Sequence, residues 1–315
     1  MTDLTSVSVL VLGAGGLGCE MLKNLALQGI PTVHVVDMDT IELTNLNRQF
    51  LFTEKDVGRA KVEVAAEYIN SREIVGAGGQ LVKVTPHFQD LTLFTRDFLA
   101  QFTFVISGLD SVEARRHVNA ELVKITLESQ FQKCIPFIDG ASEGFKGHCK
   151  VIIPGFSACY ECSLNTLPAK TETYPLCTVA NNPRKPEHLI EYALMVQWPQ
   201  TFPDVSFDYE NPDHLHWLTE QSIDRAQSYA IDASALTPNF ILGVIKNIVP
   251  SVVSTNAIIA GQCCIAMTRL LYDLYDFENS PNFSIFNGEE GAFSHSYLHS
   301  RDPNCLICGD NKQTL

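Results

Sequence analysis

Val7 to Leu12 is a short apolar run that stops at glycine, and the six residues after it are Gly13-Ala14-Gly15-Gly16-Leu17-Gly18. From Gly16 to Leu27 the apolar residues Leu17, Met21, Leu22 and Leu25 fall at helical spacing. Gly29-Ile30-Pro31 ends that pattern before a second buried run, Val33 to Val36. A chain that passes from strand to helix through G-x-G-x-x-G turns backbone N–H groups and the positive helix end toward one point, which suits a phosphate. Asp37 follows nineteen residues beyond Gly18, where a carboxylate can accept hydrogen bonds from ribose hydroxyls. The competing reading, a tight turn that needs glycine only for packing, leaves this acid without a task.

The alternation continues beyond Asp37. Ala60–Ile69 and Val112–Leu127 carry helical spacing, while Leu81–Val84, Phe104–Ser107 and Ile135–Ile138 read as strands. This order predicts an α/β fold with a doubly wound, Rossmann-like sheet. After Val151-Ile152-Ile153-Pro154 the character changes: Thr166 to Pro186 is rich in Pro, Thr and Asn, and no strand pattern follows before Asn247. Glu187–Trp198 and Asp213–Tyr229 are amphipathic, which predicts a helical insertion. Asn247 to Thr268 is free of charge and returns the chain to the main core, with Pro250 placed for a first helical turn. Phe283–Phe286 and Phe293–Tyr297 predict an antiparallel hairpin. The expected organisation is 1–162 as the first part of a nucleotide-binding domain, 163–246 as the insertion and 247–315 as the second part.

The 36 acidic and 22 basic side chains leave a net charge of −14 with no basic stripe, which argues against nucleic acid as a partner. The charge-free stretch contains Pro250, Asn256, Gln262 and two cysteines, so it suits a buried helix rather than a membrane span. Met1-Thr2-Asp3-Leu4 carries no basic region, so no signal or transit peptide is expected. Ten cysteines then read as reduced thiols or metal ligands, and the expected compartment is cytoplasm and nucleus.

The glycine loop alone does not choose among NAD, FAD and ATP. The stretch from Asp37 to Phe52 is dense in hydrogen-bonding groups and ends on the apolar triplet Phe50-Leu51-Phe52, for which a dehydrogenase has no evident need. Arg48 and Lys61 can bring two positive charges to a polyphosphate, although each taken alone is an ordinary surface cation. Cys159-x-x-Cys162 and Cys305-x-x-Cys308 have the internal spacing of a tetrahedral zinc site, but 142 residues separate the pairs, so spacing leaves zinc and unpaired thiols both open. The nine histidines form no catalytic or metal pattern.

Gly13-Ala14-Gly15-Gly16-Leu17-Gly18-Cys19-Glu20, Asp37-Met38-Asp39-Thr40, Asn45 to Phe52 and Gly108-Leu109-Asp110-Ser111 closely resemble the adenylation domain of the ubiquitin-like modifier activating enzymes. The resemblance implies a fold that binds Mg·ATP and joins AMP to the C-terminal glycine of a ubiquitin-like protein. It implies that Gly13, Ala14, Gly15, Gly16 and Gly18 cradle the phosphates, that Asp37 holds the ribose, and that Asn45, Arg48 and Lys61 contact the phosphates. Asp110 is implied to be the Mg2+-linked carboxylate; its other reading is an acid at the start of the Val112 helix, a role Ser111 can fill. Cys177-Thr178, after Tyr174-Pro175-Leu176, resembles the family's thioester cysteine and the threonine beside it. The resemblance also favours Zn2+ on the four cysteines.

Pro136 to Gly140, Glu143 to His148, Pro183 to His188, Glu191-Tyr192, Ile248 to Ser251 and Ser254 to Ala257 resemble the catalytic subunits of the neddylation branch of this family rather than the SUMO branch. That implies a Nedd/Rub-type modifier as substrate, an inactive adenylation-like subunit as heterodimer partner, and a conjugating enzyme as acceptor. Seven residues follow Cys308, so no C-terminal ubiquitin-fold domain is expected. The rival readings are a sulfur-carrier adenylyltransferase, a SUMO-type activating subunit, a nicotinamide or flavin oxidoreductase, and an inactive scaffold that kept the fold.

Overall fold

The computed structural model describes residues 4–166, 183–209, 211–245 and 251–309. One eight-stranded sheet is built from β1 (Ser8–Leu12), β2 (Thr32–Asp37), β3 (Lys83–Phe88), β4 (Phe104–Ser107), β5 (Phe137–Glu143), β6 (Lys146–Ile152), β7 (Phe283–Asn287) and β8 (Phe293–Tyr297). Their order is β3-β2-β1-β4-β5-β6-β7-β8. The first five run parallel, and β5-β6, β6-β7 and β7-β8 pair antiparallel. Helices among the described residues are α1 (Gly16–Leu27), α2 (Lys61–Asn70), α3 (Arg96–Leu99), α4 (Val112–Glu128), α5 (Pro186–Tyr192), α6 (Trp198–Thr201), α7 (Pro212–Ser228), α8 (Pro238–Ile245) and α9 (Val253–Leu271). A π-helical stretch, Ala193–Gln197, joins α5 to α6.

The continuous apolar runs of the sequence are strands covered on both faces, as parallel sheets require. Val9 and Val11 of β1 face a core shared with α1, α2 and α9, while Leu10 and Leu12 face a second core with α4. From Val253 the charge-free segment is a helix packed against α1, β5 and β6. Among the described residues no helix is long and apolar enough to cross a membrane.

By contacts the chain divides into Met1–Leu167 with Ser251–Leu315, and Pro168–Pro250. The second unit has its own core of Leu189, Ile190, Ala193, Leu218, Ala226, Leu236 and Ile241. Trp198 packs there in tilted and edge-on contacts with Phe202, Phe207, His214 and Trp217, and its indole N–H donates to the Val205 carbonyl at 2.8 Å.

Several elements differ from the sequence reading: α3 falls where no helix is predicted, and β5 runs on beyond Ile138 to Glu143. β3 runs through Pro86 to Phe88 instead of ending at Val84; it lies at the sheet edge, where a missing N–H costs no ladder bond. β6 was not foreseen, because Lys146, His148 and Lys150 break its apolar pattern. α9 begins at Val253, with Val252 as its cap residue, later than a helix with Pro250 in its first turn.

Two glycines fix the β1–α1 turn. Gly13 has φ +96°, and a Cβ on Gly18 would lie 2.0 Å from the Gly13 carbonyl oxygen. Gly18→Ala should therefore destabilise the protein by about 1–3 kcal/mol in chemical denaturation. Gly261→Ala, on α9 with open space around it, should instead stabilise by about 0.5–1 kcal/mol. Equal stability of the two variants would contradict the crowding inferred at Gly18.

Candidate functional site

The turns that follow β1, β2 and β4 meet at the carboxyl edge of the sheet, where the strand order reverses between β1 and β4. In open α/β sheets this crevice is where ligands bind. Gly13 N–H donates to the Val36 carbonyl at 2.8 Å and Gly108 N–H to the Leu12 carbonyl at 2.8 Å, so each turn is stitched to its neighbour. The Asp37 carboxylate accepts from Ala14 N–H at 2.7 Å and from Asp39 N–H at 2.8 Å. Burial pushes the Asp37 carboxyl above the usual carboxylate range, and these two amides oppose that rise. The acid read as a ribose ligand is thus also the pin that holds the glycine loop to β2. α1 opens at Gly16 with no side-chain cap, so its first N–H groups remain available to an anion.

The excursion from Asp37 to Lys61 folds back beside this loop. Lys61 is 7% exposed, and its Nζ lies 2.7 Å from Asp39 Oδ2. Asn45 is buried in a short 3-10 turn, where its Oδ1 accepts from Glu42 N–H at 3.0 Å. Arg48 donates from Nη1 to the Thr44 carbonyl at 2.8 Å and to Asn47 Oδ1 at 3.0 Å, and its own carbonyl lies 3.5 Å from where a Gly16 Cβ would stand. Leu51 and Phe52 dock in the core as the apolar triplet suggested, while Phe50 stays 40% exposed. Asp110 is exposed just past Gly108, whose carbonyl oxygen lies 2.9 Å from where a Gly13 Cβ would stand. Ser111, not Asp110, caps α4: its Oγ accepts from Ala114 N–H at 3.2 Å.

Two neighbours of the loop carried no assigned role in the sequence reading. Gln49 is 3% exposed, its Oε1 has no hydrogen-bond partner, and its Nε2 lies 4.0 Å from where a Gly15 Cβ would be. Asn256 of α9 is 1% exposed, and its Nδ2 lies 2.5 Å from where a Gly16 Cβ would be. It accepts from Ser142 Oγ at 2.6 Å and donates to Ser251 Oγ at 3.0 Å. Gln49 and Asn256 both fall within stretches that carry the family resemblance, Asn45 to Phe52 and Ser254 to Ala257. Cys177 and Thr178 lie outside the described residues.

The two distant cysteine pairs converge. Sγ–Sγ distances are 3.9 Å for Cys159–Cys162, 3.7 Å for Cys159–Cys305 and 3.4 Å for Cys162–Cys308, and all four sulfurs lie within 4.8 Å of one another. Four thiolates at about 2.3 Å from a tetrahedral ion stand about 3.8 Å apart, so the set fits a structural zinc site. Two cations hold the ligand backbone: Lys150 Nζ donates to the Cys159 carbonyl at 2.8 Å, and Arg301 Nη1 donates to the Cys308 carbonyl at 2.6 Å. Burial pulls the Lys150 amine down to about 8.

A row of loop N–H groups, a buried lysine and an adjoining exposed carboxylate can together hold a polyphosphate and a divalent cation. Comparison with known proteins agrees with this chemistry. The ThiF family profile matches residues 1–307. The NEDD8-activating enzyme E1 catalytic subunit of Saccharomyces cerevisiae is 49% identical over 304 residues, which cover 96% of this chain and 98% of that one. Its Drosophila melanogaster counterpart is 43% identical over 99% of this chain and 68% of its own length. Escherichia coli MccB, solved with ATP, superposes with a TM-score of 0.58 at 19% identity over 98% of this chain and 67% of that one, a likeness of fold. The chain belongs to the ThiF family and, within it, to the branch represented by these catalytic subunits.

Proposed function

We propose that this chain uses ATP to activate a Nedd8-type ubiquitin-like modifier and hands it to a conjugating enzyme. The observation that carries the reading is the end-to-end similarity to NEDD8-activating catalytic subunits, in a chain whose glycine loop, Asp37, Lys61 and Asp110 turns share one edge of the sheet. The modifier's C-terminal carboxylate attacks the α-phosphorus of ATP; a P–O bond forms, the bond to the leaving pyrophosphate breaks, and an acyl adenylate remains. The loop amides and α1 hold the phosphates, Asp37 accepts from the ribose, and Lys61 exchanges Asp39 for a phosphate oxygen. Arg48 and Asn45 complete the phosphate contacts. Mg2+, held through Asp110, neutralises phosphate charge when bound. Cys177, as thiolate, then attacks the acyl carbon, forming a thioester and releasing AMP. Thr178 stands beside it in sequence. The thiol of the conjugating enzyme accepts the acyl group in turn.

The unit Pro168–Pro250, which contains Cys177, fits the part of a catalytic-cysteine domain inserted into the adenylation domain. Zn2+ on Cys159, Cys162, Cys305 and Cys308 ties the chain just before that insertion to the segment after β8. An inactive adenylation-like subunit is the expected partner, and cytoplasm and nucleus the expected location.

ATP–pyrophosphate exchange, measured with the partner subunit and modifier present, tests this reading. Asp110→Ala should lower exchange by about 10²–10³-fold. Cys177→Ala should leave exchange intact while abolishing the thiol-sensitive modifier adduct. Normal exchange in Asp110→Ala, or an adduct in Cys177→Ala, contradicts the assigned roles. Metal analysis should find one zinc per chain, and Cys308→Ser should lose it with about 2 kcal/mol or more of stability. A metal-free protein as stable as the metal-containing one contradicts the zinc assignment.

A further inference from the structure

One face of α4 grips two different turns. Arg115, 7% exposed, donates from Nη2 to the Leu109 carbonyl, immediately before Asp110, and to the Gly140 carbonyl at 3.5 Å. Its Nε lies 3.2 Å from Oδ1 of Asp139, a carboxylate with no exposed surface. His148 Nε2 approaches Asp139 Oδ2 at 3.4 Å, and Ser107, the last residue of β4, is the register partner of Asp139 on β5. Arg115 holds the Asp139 carboxyl below the usual range against the effect of burial.

Tyr160, whose phenol is buried with no hydrogen-bond partner for its hydroxyl among the described residues, lies within the Cys159-Tyr160-Glu161-Cys162 turn and close enough to Arg115 for the two groups to interact electrostatically. That turn is fastened to α4 twice. Asn119 Oδ1 accepts from Tyr160 N–H at 2.9 Å, and Arg116 makes a bidentate pair with Glu161 at 2.9 and 2.6 Å. Leu109, Val112, Cys159, Tyr160, Cys162 and Cys308 share one apolar core.

A buried arginine that holds two carbonyls and faces a buried carboxylate cannot move without leaving a charge or a carbonyl unsatisfied. Exposed Asp110 has no such anchor of its own, so its position follows from that of the Leu109 peptide. We infer that Arg115 is a positioning residue for Asp110, and that Tyr160 of the four-cysteine turn buttresses it, so that this turn supports the nucleotide site as well as its own segment. The inference rests on the magnesium role proposed for Asp110.

The test is the Mg2+ dependence of ATP–pyrophosphate exchange by the assembled enzyme, at fixed ATP, for Arg115→Lys, Tyr160→Phe and Asp110→Asn. Small displacements of a reacting group cost up to about 10²-fold, so Arg115→Lys should raise the Mg2+ concentration for half-maximal exchange about fivefold or more, and Tyr160→Phe about twofold. A purely structural role lowers the melting temperature without moving that concentration. If Asp110→Asn moves it and both other variants leave it unchanged, the positioning role is wrong while the reading of Asp110 stands. If Asp110→Asn leaves it unchanged, the magnesium role fails and the inference fails with it. Should Arg115→Lys not fold, Tyr160→Phe, which removes one oxygen, decides alone.

Discussion

The β1–α1 turn folds onto its own backbone, and the site at the carboxyl edge depends on that contact. Gly18 packs so close to the Gly13 carbonyl that no side chain fits, and Gly13 adopts a φ that only glycine takes without strain. The gain is a helix start brought against the sheet, with N–H groups uncovered by side chains. Asp37 holds this arrangement from one side through Ala14 N–H, and the β4 turn meets it from the other. The acid and the loop are therefore one device: a nucleotide that contacts either senses both.

A second dependence runs through the opposite face of the sheet. The four cysteines are far apart in sequence yet adjacent in space, because Cys159 follows β6 and Cys305 follows β8, and only β7 lies between those strands. The same turn is bonded to α4, the helix that begins just after Asp110. The four-cysteine cluster and the turn that carries Asp110 thus share one helix.

Much of this was legible in the residues. β1, β2 and α1 could be read because burial on both faces demands unbroken apolar strands and because glycine marks the turn. β6 could not, since Lys150 is charged yet 1% exposed, satisfied by the Cys159 carbonyl and by Ser163 in a way no local pattern announces. Pro86 hid the end of β3, as the edge position that tolerates it is a tertiary fact. Asn256 escaped for a related reason: it finds its partner at Ser142, far away in sequence. The cysteine pairs left zinc open on spacing, and what the fold adds is their convergence.

Activation of a Nedd8-type modifier at the carboxyl edge of this sheet is open to a direct test. The direct measurement incubates the chain, its inactive partner subunit and Mg·ATP with ubiquitin, a SUMO-type modifier or a Nedd8-type modifier, and resolves the products on a non-reducing gel. A thiol-sensitive adduct with the Nedd8-type modifier alone is the expected result. An adduct with ubiquitin or the SUMO-type modifier instead, or none with any of them while ATP is shown to bind, contradicts it.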